Sequence, residues 1–304
     1  MVNDLIKRIN ELRKTRNAVI LAHNYQVPEV QDIADFVGDS LGLSIQASKT
    51  KADVIIFCGV HFMAETAALV CEGKKVIVPD VNAGCPMADM ITPEDVRKLK
   101  AKHPAATVIA YVNTSAAVKA ESDYCCTSAN AVNVVEKLRE RELIFIPDKY
   151  LGDYVSKRTG KQMILFNGFC PTHVRIIPEH IKKAKEVHPG AVVIVHPECL
   201  PEVIEIADKV ASTGGMIKFV KESRSKEFII GTEVGLIHRL AKENPSKRFY
   251  PATELAICPN MKKTTLEKVL WSLEEMKTEV TIPSHIRVRA KKPIDRMIEI
   301  NRND

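Results

Sequence analysis

The sequence predicts an α/β protein: three homologous three-layer α/β/α domains with small parallel sheets about a pseudo-threefold axis, the active site at the centre. Three observations carry this. Cys-Pro occurs three times, at 85, 170 and 258, with gaps of 85 and 88 residues. Without any gap, "CPMADMITPEDVRKLKAKHPAATVIAYVN" lies over "CPTHVRIIPEHIKKAKEVHPGAVVIVHPE". Independently, "PEVQDIADFVGDS" (28–40) lies over "PEVIEIADKVAST" (201–213), an offset of 173 that equals the two gaps together. Repetition at a fixed period sets the architecture before any single element does.

The chain opens on "MVNDLIKRINELRK", a charged amphipathic helix without the apolar centre of a signal peptide. Each unit then begins with a continuous apolar strand: "AVILAHNY", "TVIAYVN" or "VVIVHPE". A helix is expected next, with Val30, Ile33, Ala34 and Val37 at helical spacing in the first unit. Two further strand–helix steps follow, on the strands "DVIIFCG", "LIFIPD" and "FIIGTE". The last strand of each unit runs into its Cys-Pro, where proline ends the strand and stiffens the turn. Strands apolar on both faces and alternating with helices mean parallel sheets covered on both sides. The expected domains are 1–85 closed by about 270–304, then 86–170, then 171–269.

In open parallel sheets ligands bind beyond the carboxyl ends of the strands. At that edge the repeats align His23 with Tyr111 and His196, and two residues on Tyr25 with Asn113 and Glu198. Ser40, Ser128 and Thr213 stand together at the next helix start, where they read as N-caps that could also present N–H groups to an anion. The cysteines 85, 170 and 258 complete the set. His173 in "CPTH" is a weaker candidate, without copies, and His103 and His188 read as turn residues at the opposite end.

Eight cysteines without a C-x-x-C argue against a disulfide framework, a zinc ribbon or a thioredoxin motif. Cys58, Cys71, Cys125, Cys126 and Cys199 read as small core residues. Three thiolates from three units leave one coordination position without a protein ligand. Zinc on three cysteines and water is one reading; a four-iron cluster with one iron exposed to substrate as a Lewis acid is the preferred one.

The charge of +6 is mild and spread along the chain, with no basic stripe interleaved with aromatics, so nucleic acid is not an expected partner. "RVRAKK" (287–292) reads as a solvated helix face. No apolar run reaches the roughly 18 residues of a membrane span, and a cytoplasmic protein without a membrane partner is expected. No G-x-G-x-x-G or phosphate-loop pattern occurs.

The stretches "LAHNYQVPEVQDIADFVGDSL", "YVNTSAAVKAESDYCCTSANAV", "NGFCPTH", "IVHPEC" with "ASTGG", and "CPNMKKTTLEKVL" resemble the quinolinate synthases, in family order and over nearly the whole chain. That resemblance implies an enzyme of NAD biosynthesis carrying one [4Fe-4S] cluster on Cys85, Cys170 and Cys258. It implies condensation of iminoaspartate (iminosuccinate) with dihydroxyacetone phosphate to quinolinate, phosphate and water. A functional link to an oxidase or dehydrogenase that produces iminoaspartate follows from the substrate. Substrate-contacting positions carried over by motif are His23, Ser40, Tyr111, Asn113, Ser128, His196, Glu198 and Thr213. Tyr25 joins His23, Tyr111, His196 and Glu198 as catalytic. The "CPNM" at the last cysteine departs from the C-x-x-C of some members and gives no support to thiol–disulfide regulation. Radical iron–sulfur enzymes of diphthamide synthesis also resemble this architecture, and an iron–sulfur sensor is the non-enzymatic alternative.

Overall fold

The structure, a computed structural model, describes residues 2–300; Met1 and residues 301–304 of the expected first domain lie outside the described residues. Three four-stranded, all-parallel sheets form. The first contains β1 (Ala18–His23), β2 (Phe36–Gly38), β3 (Val54–Cys58) and β4 (Lys75–Ile77). The second contains β5 (Thr107–Tyr111), β6 (Tyr124–Cys126), β7 (Leu143–Ile146) and β8 (Ile164–Leu165). The third contains β9 (Val192–Val195), β10 (Lys209–Val210), β11 (Glu227–Gly231) and β12 (Arg248–Pro251). Their spatial orders, β2-β1-β3-β4, β6-β5-β7-β8 and β10-β9-β11-β12, are the same order three times.

Each sheet has one strand more than the sequence reading expected. The short edge strands β2, β6 and β10 were hidden inside a presumed helix; in the first unit that helix stops at Ile33, and Val37 belongs to β2. A repeated aspartate is the cause. The side chain of Asp35 accepts the Ile20 N–H at 2.8 Å, Asp123 that of Val108 at 2.9 Å, and Asp208 that of Val193 at 2.8 Å. Each of these residues also donates its own N–H to the carbonyl of the same partner. A carboxylate pinned across the first strand turns the chain out of the helix and lays it down as an edge strand.

The central strands are buried on both faces; every residue of β3 and β7 is buried. Helix Val2–Thr15 packs on helix Leu266–Glu275, burying Ile9 against Val269 and Leu273 beneath the first sheet. Helix Ser284–Glu299 packs on helix His61–Val70, helix Ala116–Lys119 and β6, so it spans the first and second units. Asn130 Nδ2 donates to Met297 O and Ile300 O at its end (3.0 and 3.3 Å). In its "RVRAKK" stretch Val288, Arg289 and Lys292 are exposed, whereas Arg287 reaches Ala68 O and Ala290 is buried. Among the described residues no helix is long and apolar enough to cross a membrane.

Candidate active site

The carboxyl ends of the three sheets open onto one cavity. All twelve expected site positions line it: His23, Tyr25, Ser40, Cys85, Tyr111, Asn113, Ser128, Cys170, His196, Glu198, Thr213 and Cys258. His173 lines it as well.

The cysteines are not at strand ends. Strands end at Ile77, Leu165 and Pro251, and each chain continues through an irregular loop to its cysteine. A one-turn 3₁₀ helix then follows: Ala88–Met90, His173–Arg175 and Met261–Lys263. That turn aims backbone N–H groups at the sulfur: Met87 and Ala88 at Cys85, His173 at Cys170, Asn260 and Met261 at Cys258. Proline after the cysteine shapes the turn, and the N–H groups favour a thiolate. These three cysteines are half-buried and face the cavity; the other five are buried. Cys125 and Cys126 lie in β6, and the Cys71 thiol donates to Ala47 O at 2.9 Å. Burial raises all three cavity thiols, Cys85 to about 12, so a bound cation is what would draw thiolates from them.

Ser40, Ser128 and Thr213 are not the caps. In the first and third units the capping residues sit one position earlier: Asp39 accepts the Gly42 N–H at 2.8 Å, and Ser212 Oγ that of Gly215 at 3.1 Å. In the second unit the helix starts later, at Ala131 with Asn130 at its cap position, and Ser128 lies in the preceding turn, where Thr127 Oγ1 accepts the Ala129 N–H at 3.2 Å. All three hydroxyls are left to the cavity. Asn24 Nδ2 donates to Thr213 Oγ1 (2.8 Å), and Ser128 Oγ lies 3.1 Å from His196 Nε2.

The two aligned histidines are held alike. His23 Nδ1 accepts the Tyr25 N–H (3.2 Å) and His196 Nδ1 the Glu198 N–H (3.3 Å). With Nδ1 accepting, a neutral ring carries its proton on Nε2, and His196 donates it to Ser128. Burial, the largest influence, lowers His23 to about 4 and His196 to about 3, so both rings are neutral near pH 7.

A hydrogen-bonded chain joins the three units. Tyr111 OH donates to Glu198 Oε1 at 2.5 Å, and His173 Nδ1 lies 2.7 Å from Glu198 Oε2 and 3.1 Å from Cys170 Sγ. His173 Nε2 meets Thr232 Oγ1 at 2.9 Å, and that hydroxyl meets Tyr25 OH at 2.5 Å. His173 stacks on His196 with ring centroids 4.6 Å apart. Burial alone would raise the Glu198 carboxyl; the adjoining His173 and His196, with hydrogen bonds from His173 and Tyr111, outweigh it and hold the group ionised, well below the usual carboxylate range. Burial and the Glu198 charge keep Tyr111 a phenol. Asp148, also buried, is raised by burial and then by Glu198.

Sequence reasoning gave His173 too little weight. It stands three residues after Cys170, as Ala88 and Met261 stand after theirs, so the position repeats although the residue does not. Thr232 and Lys119 were missed altogether. Lys119 is fully buried and donates to Val112 O (2.8 Å) and Thr114 O, bracing the turn that presents Asn113. Asn113 Oδ1 is buried without a hydrogen-bond partner among the described residues, which leaves it to a ligand. Of His103 and His188, both at helix C-termini, the first meets Glu142 (2.6 Å) and the second stacks on Tyr250.

The buried neutral histidines give a pH dependence. Unfolded, each titrates near 6.5; folded, each takes its proton only near 4 or 3. The unfolded chain therefore binds more protons between those values. Stability is full above about pH 6.5 and is lost progressively as pH falls towards the folded values. For His23 the loss is on the order of 3 kcal/mol at the acid limit. Urea unfolding of the metal-free protein from pH 7.5 to 4.5 is expected to show it, with His23→Asn flattening the slope; an unchanged slope contradicts the assignment.

Comparison with known proteins agrees with the geometry. The family model described as "NadA: Quinolinate synthetase A protein" matches residues 7–299. A quinolinate synthase of Methanosarcina barkeri is 58% identical over 297 residues, covering 98% of each chain. One of Desulforudis audaxviator is 53% identical over 299 residues, covering 98% of this chain and 99% of its own. One of Geobacter sp. strain M21 is 54% identical over 295 residues, covering 97% of each.

Proposed function

Because the chain belongs to the quinolinate synthase family of enzymes of NAD biosynthesis, we propose that its central cavity condenses iminoaspartate with dihydroxyacetone phosphate to quinolinate, releasing phosphate and water. The observation that supports this most is the meeting, on one cavity, of three half-buried cysteines from three repeats with the Tyr111–Glu198–His173 chain.

The donor set fits a [4Fe-4S] cluster. Three cysteines are presented by alike turns, and none of the other five cysteines lines the cavity. Cys170, His173 and Glu198 also offer ligand atoms within 4.8 Å of one another. Cys85, Cys170 and Cys258 would hold the cluster, which when bound supplies an iron free of cysteine as a Lewis acid for dehydration.

The residues divide the remaining work. Asn113, Ser128 and Thr213 bind the carboxylates of iminoaspartate, Thr213 with its proton free to donate because its oxygen already accepts from Asn24. Ser40 lines the same cavity as a further hydroxyl for the substrates. Glu198, ionised at Oε1 and Oε2, is the general base. Tyr111 and Tyr25 as phenols, and His23 and His196 with Nε2 protons, deliver and relay protons during isomerisation and ring closure. His173 joins this group, fixing Glu198 from the side of Cys170.

Unit boundaries of 1–85 with about 270–304, 86–170 and 171–269 suit this reading, each unit contributing one cysteine. A cytoplasmic location suits it too, since thiols stay reduced there, and an oxidase or dehydrogenase making iminoaspartate is the partner reaction. Neither the diphthamide-type enzyme nor the iron–sulfur sensor is favoured by the relatives. The test is anaerobic incubation of the cluster-loaded protein with dihydroxyacetone phosphate and freshly generated iminoaspartate. Quinolinate and phosphate are expected in equal amounts; phosphate without quinolinate contradicts the proposal.

A further inference from the structure

Outside the residues already given roles, an ion pair between a fully buried carboxylate and a partly buried lysine stands just behind the third cysteine. Glu233 follows β11 and is fully buried. Its Oε2 accepts the Gly235 N–H at 2.8 Å. Its Oε1 accepts the Cys258 N–H at 3.1 Å and pairs with Lys262 Nζ at 2.8 Å. Lys262, four residues beyond Cys258, also donates to Tyr25 O at 2.6 Å. The backbone N–H of a cavity cysteine in the third unit and the carbonyl of Tyr25 in the first are thus tied through one pair of charges.

The surroundings are shaped to admit that pair. A Cβ on Gly235 would stand 2.8 Å from Glu233 Oε2, 2.8 Å from Lys262 Nζ and 2.9 Å from Tyr25 O, so only glycine leaves the space. Gly235 O in turn accepts Gln31 Nε2 at 2.9 Å, and the same amide donates to Gln26 O at 2.8 Å. The segment carrying His23 and Tyr25 is therefore held from both sides. The repeats put Asp148 at the position of Glu233 in the second unit and Val60 in the first. Asp148 is buried like Glu233 and accepts the N–H groups of Tyr150 and Leu151, but no ion pair links it to another unit among the described residues.

We propose that Glu233 and Lys262 are positioning residues that fix Cys258 as a cluster ligand and Tyr25 as a proton donor together, and that their charges set the reduction potential of the cluster. A buried ion pair is weak evidence of stability, because desolvation offsets the attraction. What it supplies is geometry: two charges that must stay paired hold two loops in one register. Outer partners of metal ligands govern metal retention in the same way, by about 10- to 100-fold. This inference rests on the cluster reading above.

The experiment uses full-length protein reconstituted anaerobically, with Glu233→Gln and Lys262→Met as variants. Iron release to an excess of an iron(II) chelator is followed, and the midpoint potential is measured by dye-mediated titration. Both variants are expected to lose iron at least about tenfold faster than the unaltered protein. The potential is expected to rise in Glu233→Gln, which loses an anion, and to fall in Lys262→Met, which loses a cation. A loss of packing alone would not move the two potentials in opposite senses. Release within twofold of the unaltered protein in both variants, or potentials that shift together, overturns the inference. An unaltered protein that takes up no iron–sulfur cluster overturns the cluster reading instead, so the two failures are distinct.

Discussion

Replacing Glu198 by Gln is expected to lower kcat by about 10³-fold while leaving the visible absorption of the cluster unchanged. The side chain keeps its size, so the cavity keeps its shape. It loses the ionised oxygens that receive Tyr111 OH at 2.5 Å and His173 Nδ1 at 2.7 Å. An amide can accept at only one atom, so one of those donors then faces an NH₂ group inside a closed site, where an unmatched donor costs about 1–3 kcal/mol. The base is gone and its two neighbours are disordered together. Single-turnover kinetics with the loaded variant measure the effect. Activity within a few-fold of the unaltered enzyme removes Glu198 from the role of base.

Replacing Cys170 by Ser is expected to abolish cluster binding and to reduce quinolinate formation to background. Oxygen is a poor substitute for sulfur on iron, and His173, whose Nδ1 lies 3.1 Å from the sulfur, loses its neighbour as well. Cys85→Ser and Cys258→Ser are expected to behave alike, because the three residues stand in the same place in three repeats. Cys125→Ala is the contrast. That thiol is buried in β6, and its removal is expected to cost packing but no iron. Iron and sulfide analysis of the four purified variants separates the two classes; a Cys170→Ser protein that keeps the full cluster contradicts the ligand assignment.

The repeats made much of this legible. Apolar strands buried on both faces announce a parallel sheet, and three copies of the same strand tips announce a shared cavity. Local chemistry was harder to read. The helix holding Val30 and Ile33 was drawn too long because its apolar spacing continues into β2, while the signal that ends it is one carboxylate, Asp35, reaching back to the Ile20 N–H. Asp123 and Asp208 do the same in the other units, and Asp35 and Asp208 coincide in the aligned segments. Two of the caps were placed one residue late, since a polar residue at either of two adjacent positions satisfies the capping pattern, and the third two residues early, at Ser128 instead of Asn130. Asp39 and Ser212 take that role, and the hydroxyls beside them face the cavity.

Other features left no trace in the pattern. Thr232 matters only because Tyr25, 207 residues away in sequence, meets it across two units. Glu233 has an acidic counterpart in Asp148, but its partner Lys262 has none, since Asp89 and Val174 stand at the equivalent positions, so the pair itself is not repeated. Repetition reveals what the ancestral unit already carried; what arose in one unit alone has to be read from the fold.

The central claim is that three cysteines, one from each repeat, hold one four-iron cluster at the centre of the molecule. Iron and acid-labile sulfide counted on anaerobically reconstituted protein, alongside its absorption spectrum, test this most directly. The account requires about four of each per chain, with a visible absorption band that is lost when the iron is removed. One zinc per chain with no sulfide, and no visible band, would contradict it.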